Sequence, residues 1–502
     1  MSPTDWLYLI LFTVLLLIIV MVADVFRRLL RWSPEATRKM VHMIVGVLVA
    51  ITPFVLHSKW PMVIIGGLFT VVDFFAIQRG FFKGMHGTRR KTYGTVFYPI
   101  SFVILTLALW NHHKLILVTA MLIMAISDAV AAIVGENVRS PIELHFGPEK
   151  KSVQGSVAMF MTTFFIVFLT CQGADYLGYY DLSIERIIWI ATVMGIVATA
   201  SEVISIRGSD NLTVPLGSAF VMFYLLSEST QDGLIFTTGM LLALFVGIVS
   251  FRLHFLDGGG SVALFLLGTL IFGVGRWTFA VPILAFFVLS SVLSKMGKKR
   301  KQKLQTVFEK SGRRDAAQVL ANGGIAGLML LFWYFTKSDL LYVLYIASLA
   351  AVTSDTWGTE IGVLAKGQPR SVLTFKRVPM GTSGGISWLG TLGSALGSLV
   401  IVGIGFLFSP HASPRILGWP EATIVLCGGV FAGLVDSFLG ATVQAQFQCP
   451  ACGKMTEKKI HCQSKHTTFI RGLAWINNDV VNGLCAVSGV LFVWGAWTFF
   501  IR

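Results

Sequence analysis

An acidic side chain followed by a basic pair and a small-residue pair is the first feature of the sequence that could do chemistry. Asp128 lies late in an apolar run, in SDAVAAIVGENV, and Lys150-Lys151 and Gly155-Ser156 follow it in EKKSVQGS. A charge in a membrane span costs roughly 2.5–3.5 kcal/mol, so such residues usually have a function. Lysines supply positive charge for phosphate, and N–H groups at a helix N-terminus attract anions. The pattern predicts a phosphate-binding loop beside a carboxylate.

Three further polar residues are predicted at the same membrane level, because Glu202, Asp210 and Asn211 fall at inner ends of apolar runs. Carboxylate and amide oxygens bind hard cations, and Mg²⁺ usually takes one or two carboxylates plus phosphates. We expect a Mg²⁺–nucleotide site with Asp128 as a metal ligand, and with Asp128 or Asp210 accepting a proton. The alternative is that the Asp128 side chain only extends to the nearby membrane–water interface and has no role in a site. His42, in RKMVHMIVG, is either a base or a packing residue.

The C-terminal half contains similar elements in the same order. SDTWGTEIG holds Asp355 and Glu360, and KRVPMGTSGG places a basic pair before a glycine-rich loop. Gly-rich turns allow backbone N–H groups to surround an anion. The candidate phosphate-binding residues of this half are Lys376, Arg377, Gly381, Thr382, Ser383, Gly384, Asp257, Gly258, Arg314 and Asn322.

The elements that must position these residues are membrane helices. The chain has 502 residues, of which 55% are hydrophobic and 13% are charged, a composition that excludes a soluble domain. Apolar runs long enough to span a bilayer recur along the whole length. The sequence predicts an all-α, polytopic helical membrane protein with about 16 transmembrane helices.

The net charge of +15 raises the question of nucleic-acid binding, but its distribution argues against it. With the N-terminus outside, most of the 40 Lys and Arg fall in inner loops. This asymmetry follows the positive-inside rule, which sets topology without nucleic acid. We expect an integral protein of the bacterial inner membrane or an equivalent membrane, with its active sites on the cytosolic face.

Acidic residues, basic pairs and glycines occur in the same order in both halves of the chain. This shared order predicts two parallel repeats of about eight spans each. Gly155 follows Asp128 at nearly the spacing at which Gly381 follows Asp355, and Glu202 has a counterpart in Asp436. We predict domains at residues 1–230 and 231–502. The alternative is that membrane proteins share small-residue loops by chance.

A cysteine-rich loop interrupts the second half at residues 446–474. Its residues 449–466, CPACGKMTEKKIHCQSKH, combine a Cys-x-x-Cys knuckle with a second group of Cys and His. Such spacing is typical of tetrahedral zinc. We predict a structural Zn²⁺ held by Cys449, Cys452, Cys462 and His466, the alternative being a reduced, metal-free hairpin.

The first half resembles the phytol kinase and dolichol kinase family, which are CTP-dependent prenol kinases related to phosphatidate cytidylyltransferases. The resemblance rests on RKMVHMIVG, RRKTYGTVFYP, SDAVAAIVGENV, EKKSVQGS and SDNLTVPLGSAF. It implies a first site of Asp128, Lys151, Glu202, Asp210 and Asn211.

The second half resembles a different family, which includes transmembrane protein 19 and the plant phytyl-phosphate kinase. The matching stretches include DGGGSVA, GRRDAAQVLANGG, SDTWGTEIG, DSFLGATVQ and NNDVVN. This resemblance implies a second site of Asp355, Glu360, Gly381, Thr382, Ser383, Asp436 and Asp479, with Asp355 as a Mg²⁺ ligand.

Together the two resemblances imply a fused kinase pair. One half would convert a lipid-embedded prenol to its monophosphate, and the other would convert the prenyl phosphate to the diphosphate, with CTP as phosphoryl donor. One alternative is a cytidylyltransferase that forms a CDP-lipid, although ENVRSPIELHFGPE lacks the short basic Gly-rich form of those enzymes. The other is a secondary transporter, which would need polar residues near the bilayer midplane.

Overall fold

The backbone is almost entirely helical in the computed structural model, which describes residues 3–30, 34–79, 92–147, 149–296, 313–409, 417–453, 455–462 and 465–500. Among these residues, 13 helices are long and apolar enough to cross a membrane. A helix satisfies its own backbone hydrogen bonds, which an apolar run in lipid requires. The predicted all-α, polytopic membrane fold is confirmed.

The number of such helices is smaller than predicted, for local reasons. The range Gly258–Lys295 is counted once, although Arg276 breaks its helical backbone with φ 53° and ψ −155°, so it holds two helical segments that meet where the predicted spans 259–275 and 277–294 meet. The apolar helix Gly94–Leu109 has only 16 residues. Helix Asp210–Ser227 has 18 residues and begins with polar side chains. Each of these segments was predicted as a span of its own.

The chain forms two compact units, unit 1 (Met1–Leu234) and unit 2 (Ile235–Arg502). The helices of unit 1 are α1 Pro3–Leu30, α2 Pro34–Val55, α3 Trp60–Arg79, α4 Gly94–Leu109, α5 Lys114–Leu122, α6 Asp128–Asn137, α7 Val153–Tyr176, α8 Ile184–Val203 and α9 Asp210–Ser227. Helix α10, Thr230–Arg252, contains the boundary. Unit 2 continues with α11 Gly258–Lys295, α12 Ala316–Thr336, α13 Asp339–Gly362, α14 Trp388–Leu407, α15 Trp419–Thr442 and α16 Asn478–Phe500.

The helix that carries the predicted acid is deeply buried in unit 2, and in unit 1 it follows directly on a distorted helical turn. In unit 2, α13 contacts α12, α14, α15 and α16, and every residue from Tyr342 to Ser354 is buried. In unit 1, a π-helical turn, Ile123–Ser127, joins α5 to α6 and ends directly before Asp128. Such π-bulges often occur at functional sites, because the inserted residue changes the direction of the side chains that follow.

A short antiparallel hairpin follows each of these helices and leads into the next one. Ser152 caps α7 by accepting a hydrogen bond from the Gly155 N–H at 3.2 Å. Ser387 caps α14 in the same way, from the Gly390 N–H at 3.1 Å. The strands are β1 Glu143–Leu144 with β2 Lys151–Ser152, and β3 Arg370–Ser371 with β4 Gly385–Ile386.

The cysteine-rich loop between α15 and α16 forms two small sheets. In the first, β5 Gln446–Gln448 lies between β6 Met455–Thr456 and β9 Thr468–Arg471. In the second, β7 Ile460–His461 pairs with β8 Lys465–His466. The all-helical prediction did not include these strands.

Candidate functional site

Lys151 lies at the centre of a cluster of acids in unit 1. Its Nζ donates hydrogen bonds to Glu202 Oε1 and, at 3.2 Å, to Ser205 Oγ. Ser205 Oγ in turn donates to Asp210 Oδ2 at 3.2 Å. Burial disfavours the ammonium, but Glu202 and Asp210 outweigh it and raise the pKa of Lys151. The side chain therefore stays charged. Ser205 had not been identified from the sequence.

Asp128 joins this cluster from the start of α6. It interacts electrostatically with Asp210, Lys151, Glu202 and Arg38. Its carboxylate has no hydrogen-bond partner among the described residues. We call Asp128, Lys151, Glu202, Ser205 and Asp210 the first cluster.

The first cluster fits a hard divalent cation. The three carboxylates of Asp128, Glu202 and Asp210 outnumber the two cations that act on Asp128, Lys151 and Arg38, so negative charge is in excess there. Asn211, beside Asp210 at the start of α9, has a buried Oδ1 with no hydrogen-bond partner in the described part of the chain. A buried amide oxygen without a donor is costly unless a ligand satisfies it. The donor set is thus oxygen-only, as Mg²⁺ prefers.

Only one lysine of the predicted basic pair enters the cluster. Lys150 is exposed and pairs with Glu143 at 2.9 Å, whereas Lys151 is mostly buried. Gly155 packs closely against α6, since a Cβ there would lie 3.0 Å from Ala131 O. The Oγ of Ser156 is buried with no hydrogen-bond partner in the regions described.

His42 lies next to the cluster without joining its hydrogen bonds. Its Nε2 is 3.2 Å from the carbonyl oxygen of Met124. Its ring packs edge-on against Tyr98, with centroids 4.6 Å apart. These contacts favour the packing role over a base.

Unit 2 contains a cavity of about 870 Å³, which we call the polar cavity. Several predicted site residues from separate segments of the chain line it. They are Arg314, Asn322, Asp355, Glu360, Gly381, Thr382, Ser383, Gly384 and Asp436.

Two acids of the polar cavity contact each other directly. Asp355 on α13 and Asp436 on α15 lie within hydrogen-bonding reach, and Glu457 acts electrostatically on Asp436. Asp436 Oδ1 is buried with no hydrogen-bond donor among the residues described. Two carboxylates this close need a shared proton or a cation between them. The pair therefore fits a metal ion as well as a proton.

The glycine-rich loop forms one wall of the polar cavity. Gly381 and Gly384 have φ of 83° and 80°, a left-handed conformation that favours glycine. A Cβ on Gly384 would lie 2.4 Å from the Cβ of Ala441, so the loop presses against α15. Ser383 Oγ donates to Glu457 Oε1 at 2.8 Å.

Arg314 supplies positive charge to the polar cavity. Burial lowers the pKa of its guanidinium, and Glu360 opposes this effect. Arginine remains protonated in proteins, so a buried guanidinium favours an anion nearby. The polar cavity thus combines a cationic residue with acids that can hold a metal.

Five predicted residues lie outside the cavity lining in the part of unit 2 that the structure describes. The Asp257 carboxylate accepts the Gly260 N–H at 2.7 Å as the N-cap of α11, which begins at Gly258. Lys376 and Arg377 are exposed on the hairpin loop. Asp479 is buried on α16, while its neighbours Asn478 and Asn482 face the cavity instead. A single step along a helix turns a side chain by about 100°, which separates Asp479 from Asn478, and four steps return Asn482 to nearly the same side as Asn478.

The structure also corrects the predicted match between Gly155 and Gly381. Gly155 lies beside Gly135 and below the capping Ser152, and Gly390 lies beside Gly362 and below Ser387 in the same manner. The local counterpart of Gly155 is therefore Gly390, and the glycine-rich loop has a different position in the hairpin. The sequence comparison paired Gly155 with Gly381 because they follow Asp128 and Asp355 at nearly equal spacing, but the two glycines have different structural roles.

The cysteine-rich loop brings together Cys449, Cys452, His461 and Cys462. Their ligand atoms all lie within 4.8 Å of one another. The structure brings His461 to the three thiols in place of the predicted His466. His466 lies on β8 opposite Ile460, whereas His461 on β7 precedes Cys462, whose φ of 41° turns the backbone so that both side chains meet.

Comparison with known proteins assigns the chain to a family. The family described as "Integral membrane protein DUF92" matches residues 241–490. "Protein PGR" of Arabidopsis thaliana is 32% identical over 281 residues, which are 51% of this chain and 93% of that protein. The chain belongs to the DUF92 family of integral membrane proteins.

Other relatives have more specific names. "Phytol kinase" of Synechocystis sp. is 28% identical over 204 residues, covering 40% of this chain and 84% of that protein. "Protein VTE6, chloroplastic" of Arabidopsis thaliana is 28% identical over 233 residues, covering 45% of this chain and 61% of that protein. No solved structure matches the chain.

Proposed function

We propose that this protein is a membrane isoprenoid-alcohol and isoprenyl-phosphate kinase. Unit 1 converts a prenol of the phytol or polyprenol type to its monophosphate, and unit 2 converts the monophosphate to the diphosphate. The observation that carries the proposal is the first cluster, with its buried Lys151 among three acids, in a chain that has a phytol kinase among its relatives.

The first transfer uses groups that the first cluster provides. The prenol hydroxyl oxygen attacks the γ-phosphorus of CTP, a new P–O bond forms, and the bond to CDP breaks. Asp210, oriented by Ser205, accepts the hydroxyl proton. Lys151 faces the negative charge of the transferred group, because phosphoryl transfer depends chiefly on positioning and electrostatics.

Asp128 and the Asn211 Oδ1 would hold Mg²⁺, since neither oxygen group is used by described protein donors. When bound, the ion would neutralise charge on the triphosphate. Glu202 keeps Lys151 in place.

The second transfer needs a different balance of charge. A prenyl phosphate oxygen attacks the γ-phosphorus, so no hydroxyl proton has to be removed, but two anions must approach each other. Arg314 offsets that repulsion, together with those N–H groups of the glycine-rich loop that its own turn does not use; the N–H groups of Thr382 and Gly385 donate to carbonyl oxygens within the loop. Asp355 and Asp436 would hold the metal.

The membrane explains why both steps would occur in one chain. A prenyl tail remains in the bilayer, so both phosphorylations must take place where the bilayer meets water. The excess of Lys and Arg in the predicted inner loops favours the cytosolic face for both sites.

The test uses the purified full-length protein in lipid nanodiscs. Phytol or a polyprenol, and in parallel its monophosphate, is incubated with CTP labelled in the γ position, and separately with CTP labelled in the α position. A kinase transfers the γ label to lipid and releases CDP. A cytidylyltransferase transfers the α label and releases pyrophosphate. Prenyl monophosphate as the substrate isolates the second step.

Two variants assign the steps to the units. Asp128→Ala should abolish prenol phosphorylation and leave the second step, and Asp355→Ala should do the reverse. Appearance of the α label in lipid would replace the kinase proposal with nucleotidyl transfer. Equal loss of both steps in both well-folded variants would contradict two separate sites.

A further inference from the structure

The loop between α15 and α16 has four soft ligands arranged around one point. Cys452 Sγ lies 3.6 Å and Cys462 Sγ lies 3.1 Å from His461 Nδ1. Tetrahedral zinc, with bonds of about 2.3 Å to sulfur and about 2.0 Å to nitrogen, places such ligand atoms about 3.6 Å apart. The spacing is therefore that of ligands around a shared metal.

The backbone supports the same conclusion independently. Cys462 has φ 41°, a left-handed conformation that is costly for a residue with a Cβ. That conformation allows the consecutive residues His461 and Cys462 to point to the same centre, although neighbours on a strand normally point apart. A metal bond to both side chains would offset the cost. Three thiolates and one imidazole form a closed set that favours Zn²⁺ over harder cations.

The segment between two of these ligands reaches the polar cavity. Glu457 lies between Cys452 and His461, is buried, and accepts the hydrogen bond from Ser383 in the glycine-rich loop. It lines the same cavity as Asp355 and Asp436. A metal bound to Cys452 and His461 would fix both ends of this segment, and it would thereby fix the position of Glu457 between them.

We propose that Cys449, Cys452, His461 and Cys462 bind one structural Zn²⁺, and that this metal holds Glu457 against Ser383 in the wall of the polar cavity. The zinc completes the cavity by fixing a loop, and it takes no part in chemistry, because four protein ligands leave no open position. This inference does not depend on the proposed kinase activity, because neither measurement below uses a substrate.

The first test is the metal content of the full-length protein in detergent, measured by mass spectrometry after removal of loosely bound metal. We expect about one zinc per chain. Cys449→Ser and His461→Ala should lose most of it. His466→Ala, in the same hairpin, is the matched control and should retain it. A wild-type protein without zinc would overturn the proposal, and so would zinc lost from the His466 variant but kept in the His461 variant.

Cobalt serves as a second probe in case the cysteine variants fail to fold. Wild-type protein stripped of zinc and given Co²⁺ should develop the intense absorption of thiolate-to-cobalt charge transfer with tetrahedral ligand-field bands. Weak octahedral bands alone would contradict a thiolate site.

The second test measures the link to Glu457 by hydrogen–deuterium exchange. Removing zinc with a chelator should increase exchange several-fold in residues 455–462 and also in residues 380–387. Glu457→Gln should retain zinc while loosening residues 380–387. If the chelated protein exchanges faster only in 455–462, the metal does not hold the cavity wall.

Discussion

Substitution of Lys151 is the most direct test of the first cluster, because Lys150 next to it is a matched control. The Lys151 side chain is 17% exposed and that of Glu202 is 9% exposed. Removing one partner of such a buried pair costs about 3–5 kcal/mol, because the other charge is left uncompensated. Lys150 is 75% exposed, and its pair with Glu143 is worth only about 0–1 kcal/mol.

The expected effect on activity follows from the same geometry. Losing one electrostatic donor at a transition state lowers kcat by about 10²–10³-fold. We expect Lys151→Ala to lower the first-step kcat by this amount and to lower the thermal unfolding midpoint. Lys150→Ala should change kcat by no more than about twofold. The assay follows the γ label in the lipid product at saturating CTP.

A double variant separates catalysis from stability. Glu202→Gln added to Lys151→Ala removes the carboxylate that was paired directly with Lys151, while Asp128 and Asp210 remain, so the unfolding midpoint should recover in part while kcat stays low. If first-step activity recovers together with stability, Lys151 is only a counter-ion for Glu202, and its proposed action on phosphate is refuted.

Three further predictions concern unit 2. Gly384→Ala should destabilise the protein by about 1–3 kcal/mol, because Gly384 has a φ of 80° and the new Cβ would lie against Ala441. The change in the thermal unfolding midpoint in detergent measures this loss of stability. Asp436→Asn should lower only the second-step kcat, by about 10²-fold or more, in the prenyl monophosphate assay, and an unchanged rate would remove it from the site. Arg314→Met should raise the second-step KM by about 10-fold or more, while the exposed Lys376→Met should not; equal effects would contradict a specific anion contact at Arg314.

The sequence was sufficient to predict the helical fold and part of the site, because the bilayer limits where polar residues can lie. Spans of fixed length carry their ends to a common level. Glu202, Asp210 and Asp128 could therefore be placed together, and the structure brings them around Lys151. Ser205 was missed because a serine near a helix end has no distinguishing pattern.

Contacts that depend on local backbone direction were not predictable. Where the chain enters the short strand β2, nothing in the sequence distinguishes Lys150, which precedes the strand and is exposed, from Lys151, which begins it and is mostly buried. In the cysteine-rich loop the spacing allowed either histidine as the fourth ligand, and the left-handed backbone at Cys462 decides for His461. Glu457 was missed because its partner Ser383 is distant in sequence.

The corrected match between the hairpins indicates how the two units differ in chemistry. The residue before the capping serine is Lys151 in unit 1 and Ile386 in unit 2. Unit 2 therefore lacks a lysine at that position, and it gains Arg314 and the glycine-rich loop, which line the polar cavity from other directions. If unit 1 acts on a neutral alcohol and unit 2 on a phosphate, this change has a physical reason. One lysine suffices beside a neutral acceptor, whereas a charged acceptor requires positive charge and N–H donors on more than one side.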